Sequence, residues 1–91
     1  KTIGNKMINH RTIQNNFYSV QINNLTIWFS YETVIAFQIS ADFIYVSKNE
    51  WSNTTGKHLN IIDTDKAKRI DHKELLSQLS WNLTHVLKMV A

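Results

Sequence analysis

Five polar side chains within seven positions, Thr54, Thr55, Lys57, His58 and Asn60, are the residues of this chain best suited by type and spacing to do chemistry; they lie in the stretch WSNTTGKHLN, Trp51 to Asn60. Three chemistries can be asked of them. A phosphate-cradling loop needs a glycine several residues before the Gly-Lys pair and a Ser or Thr directly after the lysine. Here no such glycine precedes Gly56-Lys57, and His58 follows. A metal site needs converging ligands, yet His10, His58, His72 and His85 are far apart, with no HxH or HxxxH spacing. Asp63 and Asp65 are close enough in sequence to approach His58, but nothing requires it. Thr55 and His58 stand at i and i+3, as a nucleophile and its base could, without a third group to orient the base.

The structural alternative is simpler. Ser52 or Thr54 caps a short helical turn, Trp51 and Leu59 fill the gap between a sheet and a helix, and Lys57 and His58 face water. It is preferred, because spacing alone is weak support for catalysis. No catalytic residue, metal ion or cofactor is assigned, and the chain is read as a non-enzyme. What remains is binding. Lys57 would supply charge, Thr54, Thr55 and Asn60 hydrogen bonds, and His58 a donor or a stacking ring. Lys66, Lys68 and Arg69 follow in a polar loop and could neutralise phosphates beside Lys57.

The elements that must position these residues are legible in the hydropathy pattern. In FYSVQI from Phe17 and LTIWFSY from Leu25, apolar residues alternate with polar ones, and Asn23-Asn24 between them suits a tight hairpin turn. TVIAFQI from Thr33 and FIYVS from Phe43 are rich in β-branched and aromatic residues. The pattern predicts a four-stranded antiparallel meander over about residues 17–47. Asp71 with Glu74 reads as a capping box, and Leu75, Leu76, Leu79, Leu83, Val86, Leu87 and Val90 fall on one helical stripe. This predicts an amphipathic helix over about 72–90 that covers the sheet. The expected class is α+β: a polar N-terminal arm or short edge element at 1–16, then one domain over 17–91.

Composition narrows the function further. Ninety-one residues carry a net charge of +3, and six of the ten basic residues (Lys48, Lys57, Lys66, Lys68, Arg69, Lys73) fall within 48–73. This is a lean towards anionic partners, short of the stripe of a dedicated nucleic-acid binder. Cysteine is absent, so there is no disulfide or thiolate metal site, which fits a reducing cytosol. Apolar runs of five or six residues are too short for a membrane span or a signal-peptide core, and a cytoplasmic location without membrane contact is expected. The sequons at Asn24, Asn53 and Asn82 are what an asparagine-rich chain gives by chance.

SYETVIAF (Ser30 to Phe37) followed by YVSKNEWSNTTGKHLN (Tyr45 to Asn60) resembles a small domain family of phage and prophage genomes, whose members carry a similar strand pair and then W--TT-KHLN. The likeness spans the central third to half of the chain. It implies a phage-type origin, hence the host cytosol, and a common fold; it supplies no activity and no catalytic residues. Tyr31, Thr33, Ala36 and Phe37 are explained by strand packing, whereas the polar positions from Thr54 to Asn60 stay candidates for binding.

Two tryptophans bear on partners. Trp81 lies opposite the apolar stripe of the C-terminal helix, with His85 and Lys88 on the same side. It reads either as an isolated surface residue or as a docking anchor, in which case a homodimer through the helix is the simplest form. Trp28 points to the sheet face opposite Leu25, Ile27 and Phe29. That face is expected to be covered by the N-terminal arm or a second subunit, in preference to lying open for unpaired bases. Two functions follow. One is a small binding module that contacts nucleic acid through its basic polar loop. The other is an inhibitor or adaptor acting on a host or defence protein, or a minor phage assembly component.

Overall fold

The computed structural model describes residues 8–90, with the side chains of 86–90 outside that description. Five antiparallel strands follow one another in the sheet: β1 (Ile8–Gln14), β2 (Phe17–Ile22), β3 (Leu25–Ser30), β4 (Thr33–Ile39) and β5 (Ile44–Val46). The expected meander is there, enlarged by one strand. Of the two readings of the N-terminal segment, residues 8–14 take the edge element: they pair along β2 from Ile8–Ile22 to Gln14–Phe17, with a bulge between Thr12 and Gln14.

Each hairpin turns on a residue with positive φ, at Asn16, Asn23, Tyr31 and Ser40. Asn tolerates this backbone region, but for the bulky Tyr31 it is unusual. Tyr31 is held there by its N–H, which donates to the Asn16 carbonyl at 2.7 Å. The neighbouring β-turns of two hairpins are thereby tied together.

Two helices follow, α1 (Asn53–Ile62) and α2 (His72–Val90), with a single 3-10 turn, Lys66–Lys68, between them. Alternation along the strands gives each helix its own sheet face. Leu25, Ile27 and Phe37 pack with Leu75 and Leu79 of α2, joined by Phe29, Ile70 and Leu83. Phe17, Ile35, Ala36 and Val46 pack with Leu59 of α1, joined by Ile13, Trp28 and Ile62. Ile35 sits where the β3–β4 register shifts, and the bulge lets it and Ala36 serve the same cluster. The architecture is therefore α+β in three layers.

Between the helices the chain passes around the edge of β5. Ile70 makes a parallel bridge to Ser47, its N–H donates to the Val46 carbonyl and its carbonyl accepts from Lys48. This covers the β5 edge, whereas no described residue pairs with the outer edge of β1.

The start of α2 corrects the expected capping box. The His72 N–H donates to the Glu50 carboxylate, 3.1 Å away across the loop before α1. Asp71 instead pairs with Lys48 at 3.2 Å, and Glu74 accepts from Gln78. A carboxylate from outside the helix serves the orphan N–H just as well, and local sequence cannot show it. Of the apolar stripe, Leu75 and Leu79 are buried and Leu83 is half-buried, while Leu76 is exposed. Val86, Leu87 and Val90 have side chains outside the described residues.

Candidate functional site

The stretch expected to be a capped turn is a helix of ten residues. Ser52 is its N-cap: the Oγ accepts from the Thr55 N–H at 3.3 Å. At 3.6 residues per turn the polar residues of α1 part into two faces.

The inner face carries Thr55, His58 and Leu59, which are 4 %, 3 % and 0 % exposed. His58 does not face water. Its Nδ1 lies 2.7 Å from Ser30 Oγ, and Thr55 Oγ1 lies 3.0 Å from the same oxygen. Ser30 is the last residue of β3 and is 1 % exposed. Ser30 Oγ bridges the two, donating to one and accepting from the other, with the direction set by the imidazole tautomer. The His58 ring stacks on Phe17, with centroids 4.6 Å apart and planes within 8°. Burial pulls the His58 pKa below its ordinary value, because the charged form would lose hydration.

This is a seam that fastens α1 to the β3–β4 turn. It brings together the Thr55–His58 pair expected from spacing and supplies the missing third group. But a hydroxyl with almost no exposure offers no approach for a substrate. The same burial removes Thr55 and His58 from any nucleic-acid surface, which corrects the sequence expectation for both.

The outer face carries Asn53, Gly56, Lys57 and Asn60, at i, i+3, i+4 and i+7. Together with Asn49, Lys66 and Arg69 they line an open groove of about 600 Å³. Gly56 is needed for closeness: a Cβ there would lie 2.9 Å from Asn49 Nδ2. Asn49 is fixed at both ends, accepting from the Trp51 N–H at 3.0 Å and donating to the Ser52 carbonyl at 3.1 Å. Arg69 reaches back to α1, where Nη2 donates to Asn60 Oδ1 at 2.8 Å and to the Asp63 carbonyl at 3.2 Å. Its Nε is buried without a hydrogen-bond partner among the described residues.

Lys66 opens the 3-10 turn and Arg69 is the extended residue directly after it, and both side chains line the groove. Lys68 is directed elsewhere. Its Nζ contacts Asp63 Oδ2 at 2.8 Å and sits 5.0 Å from the centre of the Phe43 ring. The hydrogen bond from Lys68 holds the Asp63 carboxyl below its ordinary pKa and, reciprocally, raises that of Lys68. Asp63 is thereby committed to Lys68 and to the Asp65 N–H, not to His58. Thr54 is exposed at the start of α1 but does not line the groove. Of the eight residues expected to meet nucleic acid, four share the groove: Lys57, Asn60, Lys66 and Arg69. Asn49, Asn53 and Gly56 join them without a signal of charge; the i, i+3, i+4, i+7 spacing of Asn53 and Gly56 with Lys57 and Asn60 is the one sequence feature that marks two of them.

On α2, Trp81 is 66 % exposed, and its ring lies 4.4 Å from that of His85, whose Nδ1 contacts the Trp81 carbonyl at 2.9 Å. Lys88, expected beside them, has its side chain outside the described residues. Trp51, expected to plug the core, is exposed and meets the edge of His72. No helix of the described residues is long and apolar enough to cross a membrane.

The chain belongs to the family of unknown function DUF8033, whose model matches residues 5–78. The match takes in β1, both faces of α1 and the start of α2. No curated protein and no solved structure matches the chain.

Proposed function

We propose that this chain is a non-catalytic module that binds nucleic acid along the groove on the outer face of α1. One observation carries the reading: three cationic side chains, Lys57, Lys66 and Arg69, line that groove with three asparagines and no carboxylate. Lys57 and Lys66 are mobile point charges suited to phosphates. Arg69 is braced through Nη2 by Asn60 and the Asp63 carbonyl, which leaves Nη1 as the donor for an anion. The amides of Asn49 and Asn53 add hydrogen bonds to sugar or base. With only three charges the binding is modest and dominated by the phosphate backbone. The resemblance to phage- and prophage-borne domains supports a place in the cytosol of a bacterial host.

The test is a titration of labelled single- and double-stranded DNA and RNA, read by anisotropy. Two or three phosphate contacts predict a loss of about tenfold between roughly 50 and 200 mM salt. Equal affinity at both salts, or no binding at the lower, contradicts the reading.

A second reading rests on the exposure of Trp81: an inhibitor or adaptor docking a host protein on α2, or a minor assembly component. It predicts a saturable protein complex that Trp81→Ala weakens while the fold survives. A complex untouched by that substitution removes α2 as the interface.

A further inference from the structure

Helix α1 covers only half of its sheet face. Paired positions share a face, so one cross-strand row runs Arg11, Ser19, Trp28, Ala36, Val46 from β1 to β5. Its far end lies beneath α1, where Ala36 and Val46 pack with Leu59. Its near end, Arg11 and Ser19, lies outside the α1 cluster, with Arg11 exposed above the buried Ser19. There Asn9, Arg11, Ile13, Ser19, Gln21, Thr26 and Trp28 line a hollow of about 310 Å³. Trp28 spans the boundary: it packs on the α1 cluster and also walls the hollow.

The chemistry of this hollow is specific. Indole and the Ile13 side chain give an apolar wall. The neighbouring row, Asn9–Gln21–Thr26, sets two amides and a hydroxyl side by side. Gln21 is only loosely engaged, through a 3.3 Å bond to the Asn23 carbonyl. Arg11 is the one charge in the lining and makes no ion pair among the described residues. A flat ring with hydrogen-bonding edges, attached to an anionic backbone, satisfies all of these groups.

We infer that this hollow receives an unpaired base, so that the nucleic acid bound by the module is single-stranded. The inference rests on the proposed function and adds the ligand's form. Trp28 provides the stacking surface, Asn9 and Gln21 meet the base edge through donors and acceptors that suit several bases, and Arg11 meets the adjoining phosphate. A duplex keeps its bases stacked on one another and gains nothing from the hollow.

The experiment uses Trp51→Phe/Trp81→Phe protein, in which Trp28 is the only tryptophan. It follows indole fluorescence on addition of a twelve-residue oligo(dT), the corresponding duplex, or a neutral hexasaccharide. Single strand is expected to quench Trp28 and to bind roughly tenfold or more tightly than duplex. In the natural chain, Arg11→Gln/Gln21→Ala, both at exposed positions, should remove most of that preference and leave duplex binding unchanged. Equal affinity for single strand and duplex with no quenching overturns the inference and leaves the groove reading standing. Quenching by the hexasaccharide alone overturns it in favour of a sugar. Loss of all binding to both nucleic acids overturns the groove reading as well.

Discussion

The two faces of α1 come from one run of ten residues and meet opposite environments. The inner face sets Thr55 and His58 against Ser30 and stacks the imidazole on Phe17, in a region closed to solvent. The outer face sets Asn53, Gly56, Lys57 and Asn60 along an open cationic groove. In sequence the polar residues of both faces form a single motif. Folding turns Thr55 and His58 inward and Lys57 and Asn60 outward, and the rule that divides them is the helical period. Polar character in a motif is therefore no sign of exposure. A buried hydroxyl–imidazole network is as polar as a binding site and has the opposite consequence for mutation.

The sharpest way to break this division is to truncate the inner face. Leu59→Ala should destabilise by about 2–5 kcal/mol, as buried leucines do, and in a domain this small that approaches the whole stability. A denaturant midpoint within error of the natural chain would mean α1 is not seated as described. Ser30→Ala should cost about 1–3 kcal/mol, because it strands the His58 Nδ1 and the Thr55 hydroxyl.

The inner face also predicts a pH response. Because the folded pKa of His58 is lowered, the unfolded chain binds the extra proton first. Stability should be full above the ordinary histidine value of about 6.5 and decline as pH falls from there towards the folded value. Asp63, whose pKa is lowered by Lys68, contributes in a separate window below the ordinary carboxylate range. Melting curves across pH 4–8 should show the first decline in the natural chain and a flattened one in His58→Gln. Identical profiles would remove His58 as the titrating group.

On the outer face, Lys57→Gln/Lys66→Gln should leave stability within about 0.5 kcal/mol, as surface changes do, and act only on binding. Smaller still is the effect expected from Trp81→Ala on stability, since that ring packs mainly on its neighbour His85. A large loss of melting temperature in either variant would blur the division between supporting and contacting surfaces.

How much of this could be read beforehand depends on whether the cause was local. β2 and β3 are legible from their period-two pattern and β4 from its β-branched and aromatic residues, and each of these strands gives residues to the cores on both faces of the sheet. β1 is not legible: INHRTIQ is exposed at all but one position, so it carries no burial pattern to read. α1 was seen only as a turn, because Asn53, Thr54, Thr55, Gly56 and Asn60 are weak helix formers and the packing of Leu59 and His58 decides the matter. The orientation of His58 was out of reach for the same reason, since its partner Ser30 lies 28 residues upstream. The basic groove was half visible. Charge groups Lys57 with Lys66, Lys68 and Arg69, but Lys68 turns to Asp63, a pairing that composition does not record.

The proposed contact surface on the outer face of α1 is tested most directly by comparing the natural chain with Lys57→Gln/Lys66→Gln in a single-stranded oligonucleotide titration at several salt concentrations. If the two lysines of the groove meet phosphates as proposed, affinity at low salt falls by roughly tenfold or more in the double variant, and the slope of log K against log salt shrinks by about 1.5. Superimposable salt curves for the two proteins would contradict the account and place any nucleic-acid contact elsewhere on the molecule.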